Sequence, residues 1–264
     1  MEHAPRRAIV TGAESGIGRA IAVELAAAGM DVGITWHADE AGARETAEEV
    51  RAHESRAEWA YLDAGDPRAA EVVDDLAARL GGIDIFVNNA GMVDSAPFLE
   101  LTDENWDRTL AVDLSGAFRC IQRAARHMVT AGKGGRLIAV TSVNEHLPRV
   151  GFAAYNAAKH GLGGLIKSAA LELGVHGITA NTVAPGEIAT PMTGMTDVDP
   201  RTTERPGIPL RRSGDAREVA AAVAFLASEK ASYITGASLV VDGGMLLMGP
   251  QGGSDLGHDD WRSP

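Results

Sequence analysis

Tyr155-Asn156-Ala157-Ala158-Lys159 sets a phenol and an ammonium four residues apart, which on a helix places them on one face. A free phenol has a pKa of about 10, too high for a base at neutral pH. An ammonium about 4 Å away, at an effective dielectric near 20, contributes roughly 4 kcal/mol, up to about three pKa units. Tyr155 so placed can exchange a proton with an alcohol or carbonyl oxygen. Ser142 follows the apolar run ending Val140-Thr141, and its hydroxyl can hold the same oxygen. A Tyr-x3-Lys pair alone also fits an ordinary helix surface; its chemical meaning comes from combination with what precedes it.

What precedes it is Thr11-Gly12-Ala13-Glu14-Ser15-Gly16-Ile17-Gly18. The turn follows a strand-like run and opens a helix. Its glycines allow a sharp reversal and close approach of backbone to a pyrophosphate, and the helix beginning near Gly16 directs unpaired N–H groups and its positive dipole end at phosphates. The pattern therefore points to a dinucleotide, NADP or NAD. The second strand-like run ends Ile34-Thr35-Trp36-His37, without the acid that holds a ribose 2′-hydroxyl in NAD-specific sites. His37 can approach a 2′-phosphate, which leans the reading to NADP, while Glu14 opposes it if it lies near the adenosine ribose. His37 as a solvated loop residue is an equal alternative.

These groups need a scaffold that brings chain segments 140 residues apart to one edge. Short apolar runs at Ala8–Val10, Asp31–Thr35, Ala57–Leu62, Ile83–Val87, Arg136–Val140, Ile178–Val183 and Ser238–Val241 read as strands. Helical patterns lie between them, at Gly16–Ala28, Ala41–His53, Pro67–Leu80, within Glu104–Ala131, at Ala154–Leu173 and at Ala216–Ala227. Such alternation predicts an α/β fold, a doubly wound parallel sheet with helices on both faces. No linker or repeat divides the 264 residues, so residues 1–264 read as one domain that binds dinucleotide and catalyses. Two stretches break the rhythm. Thr190–Leu210, with Pro191, Pro200, Pro206 and Pro209, reads as a lid-like connection. Residues 245–264 form a tail that starts Met245-Leu246-Leu247-Met248 and continues rich in Gly and Asp.

Composition narrows the function. A formal charge of −12 disfavours nucleic-acid binding. No apolar run reaches the roughly 18–20 residues of a membrane helix, and no signal core follows the first residues. Cys120 is the single cysteine and so forms no intrachain disulfide, consistent with the cytoplasm. The eight histidines show no metal-binding spacing, and no metal is expected.

Taken in order, the glycine turn, Asp63 after the third strand, Asn88-Asn89-Ala90-Gly91 after the fourth, Ser142, Tyr155 with Lys159, Pro185-Gly186 with Thr190, and Asp242-Gly243-Gly244 resemble the short-chain dehydrogenase/reductase superfamily. The resemblance runs from about Arg7 to Gly244. It implies a Rossmann-type sheet of order 3-2-1-4-5-6-7 and a homotetramer built partly on two long central helices. It further implies that Asp63 faces the adenine, that Asn89, Ala90 and Gly91 border the adenosine half, and that Pro185, Gly186, Ile188 and Thr190 lie at the nicotinamide end, with Ile188 and Thr190 on its carboxamide. Lys159 would hold the nicotinamide ribose as well as acidify Tyr155. Asp113 stands where the family usually has an asparagine that supports a water relay to the lysine. A main-chain carbonyl at a kinked helix could serve there with aspartate; a side-chain amide donor could not be replaced by a carboxylate.

The stretch Val143-Asn144-Glu145-His146-Leu147-Pro148-Arg149 after Ser142 is polar, suggesting a small polar substrate such as a hydroxyketone, diketone or sugar derivative. Alternatively, Glu145 and His146 pair with Arg149 and never meet substrate. Two competing functions remain, a 3-oxoacyl-thioester reductase and a regulator that binds NAD(P) without turnover.

Overall fold

Side chains of the first strand, β1 (Arg7–Val10), alternate between two apolar clusters, Ala8 and Val10 entering one and Ile9 the other. The same period of two recurs in β4 (Ile85–Asn88), where Ile85 and Val87 oppose Phe86. It recurs in β5 (Gly135–Val140), where Ile138 and Val140 oppose Leu137 and Ala139. Strands buried on both faces require helices on both. The computed structural model, describing residues 6–195, 198–202 and 204–248, supplies them. One cluster is completed by α1 (Gly16–Ala27), α2 (Glu40–Arg51) and α7 (Ala216–Ala227). The other is completed by α3 (Glu71–Leu80), α5 (Ala117–Ala131) and α6 (Ala153–Leu173).

With β2 (Asp31–Trp36), β3 (Ala57–Tyr61), β6 (Ile178–Pro185) and β7 (Ser238–Val241), the strands form one seven-stranded parallel sheet in the spatial order β3-β2-β1-β4-β5-β6-β7. The order reverses between β1 and β4, and such a switch point leaves a crevice at the carboxyl ends of the strands. Among the described residues, no helix is long and apolar enough to cross a membrane. Cys120 is buried in the α5 side of the core, and burial pushes its thiol up to about 11, so it stays protonated at neutral pH.

Several boundaries differ from the sequence expectation. The helix expected from Pro67 starts at Glu71, because the Asp66 carboxylate accepts the Arg68 N–H and holds the preceding residues in turns. The single helix expected within Glu104–Ala131 is two, α4 (Asp103–Leu110) and α5, joined by a π-helical segment Ala111–Gly116. π-bulges are frequent at functional sites, and this one carries Asp113. Strand β6 runs two residues beyond the expected Val183, because Ala184 and Pro185 continue the ladder with Val240 and Val241.

The Thr190–Leu210 connection is tied at its base. Ile188–Ala189 pairs in parallel with Gly214–Asp215, and 3₁₀ turns form at Pro191–Thr193 and Pro200–Thr202. Glu218 of α7 accepts from Arg212, which first of all holds its carboxyl down to about 2, aided by the Asp215 N–H. The stability from this tie is present above the ordinary 4.5 and is lost as pH falls toward about 2.

Gly116 ends the π segment against the β3–α3 connection, where a Cβ would fall 2.0 Å from the Ala64 carbonyl oxygen. Gly116→Ala is therefore expected to cost about 1–3 kcal/mol through overpacking, read from urea unfolding. An unchanged midpoint would show that the π segment yields freely.

Candidate active site

The carboxyl ends of β1, β4, β5 and β6 open onto a cavity of about 520 Å³. Its lining brings together most of the residues singled out by sequence: Gly12, Glu14, Ser15, Gly16, Ile17 and Gly18 from the turn after β1; Asn89, Ala90 and Gly91 after β4; Ser142 after β5; Tyr155 and Lys159 on α6; and Pro185, Gly186, Ile188 and Thr190 after β6. His37, Asp63 and Asp113 are not in that lining. The His37 ring stacks on Tyr61 at 5.8 Å. The Asp63 carboxylate accepts the Gly65 N–H at 2.9 Å. Asp113 lies behind the cavity wall.

The turn is stitched to β4 by side chains. The Thr11 hydroxyl oxygen accepts the N–H groups of Asn89 and Ala90 at 3.0 and 2.9 Å, while the Asn89 amide donates to the carbonyls of Thr11 and Gly12 at 3.0 and 2.8 Å. Gly12 has φ +63°, and a Cβ on it would fall 2.9 Å from Ala90 Cα; one on Gly18 would fall 2.0 Å from the Gly12 carbonyl oxygen. Ser15, the N-cap of α1, makes no side-chain cap hydrogen bond, leaving the first-turn N–H groups to be met by something else. Tightly packed glycine backbone with an uncapped helix start fits a pyrophosphate.

At the other end lies a buried ion pair. Lys159 Nζ is 3.2 Å from Asp113 Oδ2, and the two residues are 3% and 0% exposed. Burial works to lower the Lys159 pKa, but Asp113 above all, with Tyr155 assisting, outweighs it and holds the pKa above its ordinary value. Asp113 Oδ1 accepts the Met92 N–H at 2.8 Å, tying the π segment to the turn after β4. A Cβ on Gly91 would sit 3.2 Å from Lys159 Nζ and 3.3 Å from Asp113 Oδ1, so the turn after β4 packs closely on the pair. Lys159 Nζ lies 5.2 Å from the Tyr155 ring centroid. At 3.2 Å the Asp113 side chain meets the lysine directly, so no water relay between this side chain and the lysine is needed.

Ser142 caps the 3₁₀ turn Val143–Glu145; its Oγ accepts the Asn144 N–H at 3.1 Å and donates to Asn144 Oδ1 at 3.3 Å. Asn144 in turn donates to Asn156 Oδ1 at 2.7 Å. Of the polar stretch, Asn144 and Arg149 line the cavity, whereas Glu145 and His146 do not. Glu145 neither lines the cavity nor pairs with Arg149. It is buried, accepting the hydroxyls of Thr141, Thr182 and Ser238 at 2.6, 3.0 and 3.2 Å, in space left by Gly163, where a Cβ would fall 2.5 Å from Glu145 Oε1. His146 meets Ser238 at 2.9 Å. The Arg149 guanidinium lies 4.8 Å over the Phe152 ring instead of pairing with Glu145 or His146.

The lining also holds residues no motif marked: Met92, Phe152, Met195, Arg205 and Met245. Met195 and Arg205 belong to the proline-rich connection and Met245 to the start of the tail, two segments visible only as irregularities. Met245 thus folds back onto its own subunit, leaving Leu247, 86% exposed, as the protruding member of that apolar run.

A switch-point crevice with a glycine cradle, a serine at the end of β5 and a Tyr-x3-Lys pair on the next helix defines a class, and the chain belongs to the short-chain dehydrogenase/reductase superfamily. It is thus an NAD(P)-linked oxidoreductase acting on CH–OH and C=O groups, which sets aside the regulator without turnover. Residues 12–246 match the family model described as enoyl-(acyl carrier protein) reductase. An uncharacterized oxidoreductase, YohF, of Escherichia coli K12 is 53% identical over 92% of this chain and 97% of its own. The solved acetoin dehydrogenase YohF of Salmonella typhimurium is 50% identical, with a TM-score of 0.89 over 94% of this chain and 98% of its own. A 3-oxoacyl-[acyl-carrier-protein] reductase of Staphylococcus epidermidis is 38% identical over 92% of this chain and 99% of its own.

Removing one partner of a buried ion pair costs about 3–5 kcal/mol. Asp113→Leu is expected to lose that much stability in urea unfolding. Asp113→Asn, whose amide oxygen can still accept from Met92 or Lys159, is expected to lose less, to keep substantial activity, and to move the pH–rate profile for alcohol oxidation modestly toward base, because a lysine without its carboxylate partner supplies less positive field to Tyr155. Equal stabilities for the Leu variant and the parent would remove the pair's structural role.

Proposed function

We propose that the protein interconverts a small polar ketone and its alcohol, a vicinal hydroxyketone or diketone being the substrate class, with Tyr155 as general acid and base. The observation that carries this reading is that Ser142, Tyr155 and Lys159 line one cavity together with the glycine turn. The bound dinucleotide, NAD or NADP, supplies the transfer of a hydride to or from the substrate carbon. Gly12 to Gly18 hold its pyrophosphate, Asn89 to Gly91 its adenosine half, and Pro185, Gly186, Ile188 and Thr190 its nicotinamide end. Ser142 holds the substrate oxygen. During oxidation Tyr155 takes the hydroxyl proton as the carbon–oxygen double bond forms, and during reduction it returns that proton to the oxygen. Lys159, kept charged by Asp113, holds the nicotinamide ribose and provides the positive field beside Tyr155.

Asn144 supports a second substrate oxygen. Its amide lies beside Ser142 in the cavity wall, where it can meet a hydroxyl or carbonyl adjacent to the reacting carbon. The acetoin dehydrogenases of Salmonella typhimurium and of Enterobacter cloacae, the latter 49% identical with a TM-score of 0.88, agree with that class. The 3-oxoacyl-thioester reading is supported by the match to the Staphylococcus epidermidis reductase. A panel of acetoin, diacetyl, sugars and a 3-oxoacyl thioester, followed at 340 nm with both dinucleotides, separates them. Turnover of the thioester alone would overturn the proposal.

The working form is a homotetramer in the cytoplasm. Phe118 and Val129, eleven residues apart and so on one side of α5, are exposed there, which supports association through this helix. Residues 249–264 lie outside the described residues; of Met245 to Met248, proposed to pack against a neighbouring subunit, Leu247 is the exposed member that supports this. Truncation after Gly244 is expected to yield dimers or monomers by light scattering; an undiminished, fully active tetramer would count against that packing.

Tyr155→Phe is expected to bind dinucleotide nearly as before while turnover falls by about 10²–10⁴-fold. Unchanged turnover would end the acid–base assignment.

A further inference from the structure

The turn after β1 delivers a carboxylate to the carboxyl end of β2. Glu14 Oε1 accepts the N–H of His37, the first residue after β2, at 3.1 Å. Glu14 Oε2 is enclosed and has no hydrogen-bond partner among the described residues. The Glu14 carbonyl oxygen lies close to the start of α2, where a Cβ on Gly42 would fall 2.5 Å from it. Glu14 thus lines the cavity with one oxygen engaged by a neutral donor and, among the described residues, no cation paired to it.

No lysine or arginine occurs from Thr11 to Gly18 or from Trp36 to Gly42. The nearest arginines in sequence are engaged elsewhere, Arg19 with Glu45 and Glu49 and Arg44 with Glu40. The His37 ring lies against Tyr61, outside the cavity lining.

We infer that Glu14 makes this site select NAD over NADP, acting from the glycine turn in place of the acid that NAD-specific sites carry at the end of β2. The inference rests on the dinucleotide site proposed above and decides which dinucleotide it takes, reversing the lean drawn from His37. The difference is electrostatic. A ribose 2′-hydroxyl is neutral and can donate a hydrogen bond to a carboxylate. A 2′-phosphate brings up to two negative charges, and here it would face the Glu14 carboxylate with no lysine or arginine in Thr11–Gly18 or Trp36–Gly42 to meet it. Because Glu14 is partly enclosed, salt screens its charge less than it would an exposed one.

The test is direct binding of NADH and NADPH, by calorimetry or quenching of protein fluorescence, alongside initial rates with each. The parent is expected to bind NADH at least about 30-fold more tightly, as like-charge juxtaposition predicts. Glu14→Gln, which keeps the shape and an acceptor but removes the charge, is expected to narrow that ratio by about tenfold or more, equivalent to about 1.4 kcal/mol. The gain should appear mainly in NADPH affinity. Glu14→Arg is expected to invert the preference. Thermal melting of each variant shows that the fold persists. Tighter NADPH binding by the parent, or an unchanged ratio in Glu14→Gln, would overturn the inference while leaving the oxidoreductase reading intact. Failure to bind either dinucleotide would overturn both.

Discussion

The pairing of Lys159 with Asp113 at 3.2 Å is the constraint around which the catalytic end is built. Removing two charges from water costs several kcal/mol per ion, and only close geometry with further hydrogen bonds offsets it. Here the offset draws on three segments at once. The π segment presents Asp113, the turn after β4 supplies the Met92 N–H, and α6 brings Lys159. Gly91 leaves the room, since any side chain there would press on both charges. Tyr155, one helical turn before Lys159, is positioned by the same arrangement, and Lys159 holds a charge that burial alone would discourage.

A second set of constraints holds the glycine turn. Thr11 and Asn89 lock the glycine turn to the chain leaving β4, so the two walls of the switch-point crevice cannot separate independently. Gly12 and Gly18 stand where backbone meets backbone closely. The two ends therefore share the segment Asn89–Met92, with Asn89 serving the turn and Gly91 and Met92 serving the ion pair. Between them runs the cleft, with Asn144 adding a polar group to its wall.

Much of this was legible in the chain. Short, near-continuous apolar runs between helical patterns announce strands buried on both faces, and the glycine turn, Ser142 and Tyr155 with Lys159 stand out by their spacing. What escaped reading depends on packing between distant segments. The π segment cannot be told from continuous helix by periodicity, because one inserted residue shifts the helical phase by only a fraction of a turn. Glu145 looks like a pocket residue beside Ser142, yet Gly163 opens a buried niche among three hydroxyls that only the fold reveals. Asp113 stands out in sequence as a departure from the family, but its ion pair with Lys159 emerges only when the segments meet. Met92, Phe152 and Met245 reach the cavity with no motif to mark them.

A double-mutant cycle on Asp113 and Lys159 addresses the central constraint most directly. Unfolding free energies of the parent, Asp113→Asn, Lys159→Met and the double variant are compared in urea at neutral pH. A shared buried pair predicts strong non-additivity: the double variant loses less than the sum of the single losses, with a coupling of about 2 kcal/mol or more. Losses that add to within about 0.5 kcal/mol would contradict it, showing that each group is held by its own surroundings and that Asp113 does not sustain the lysine on which the site depends.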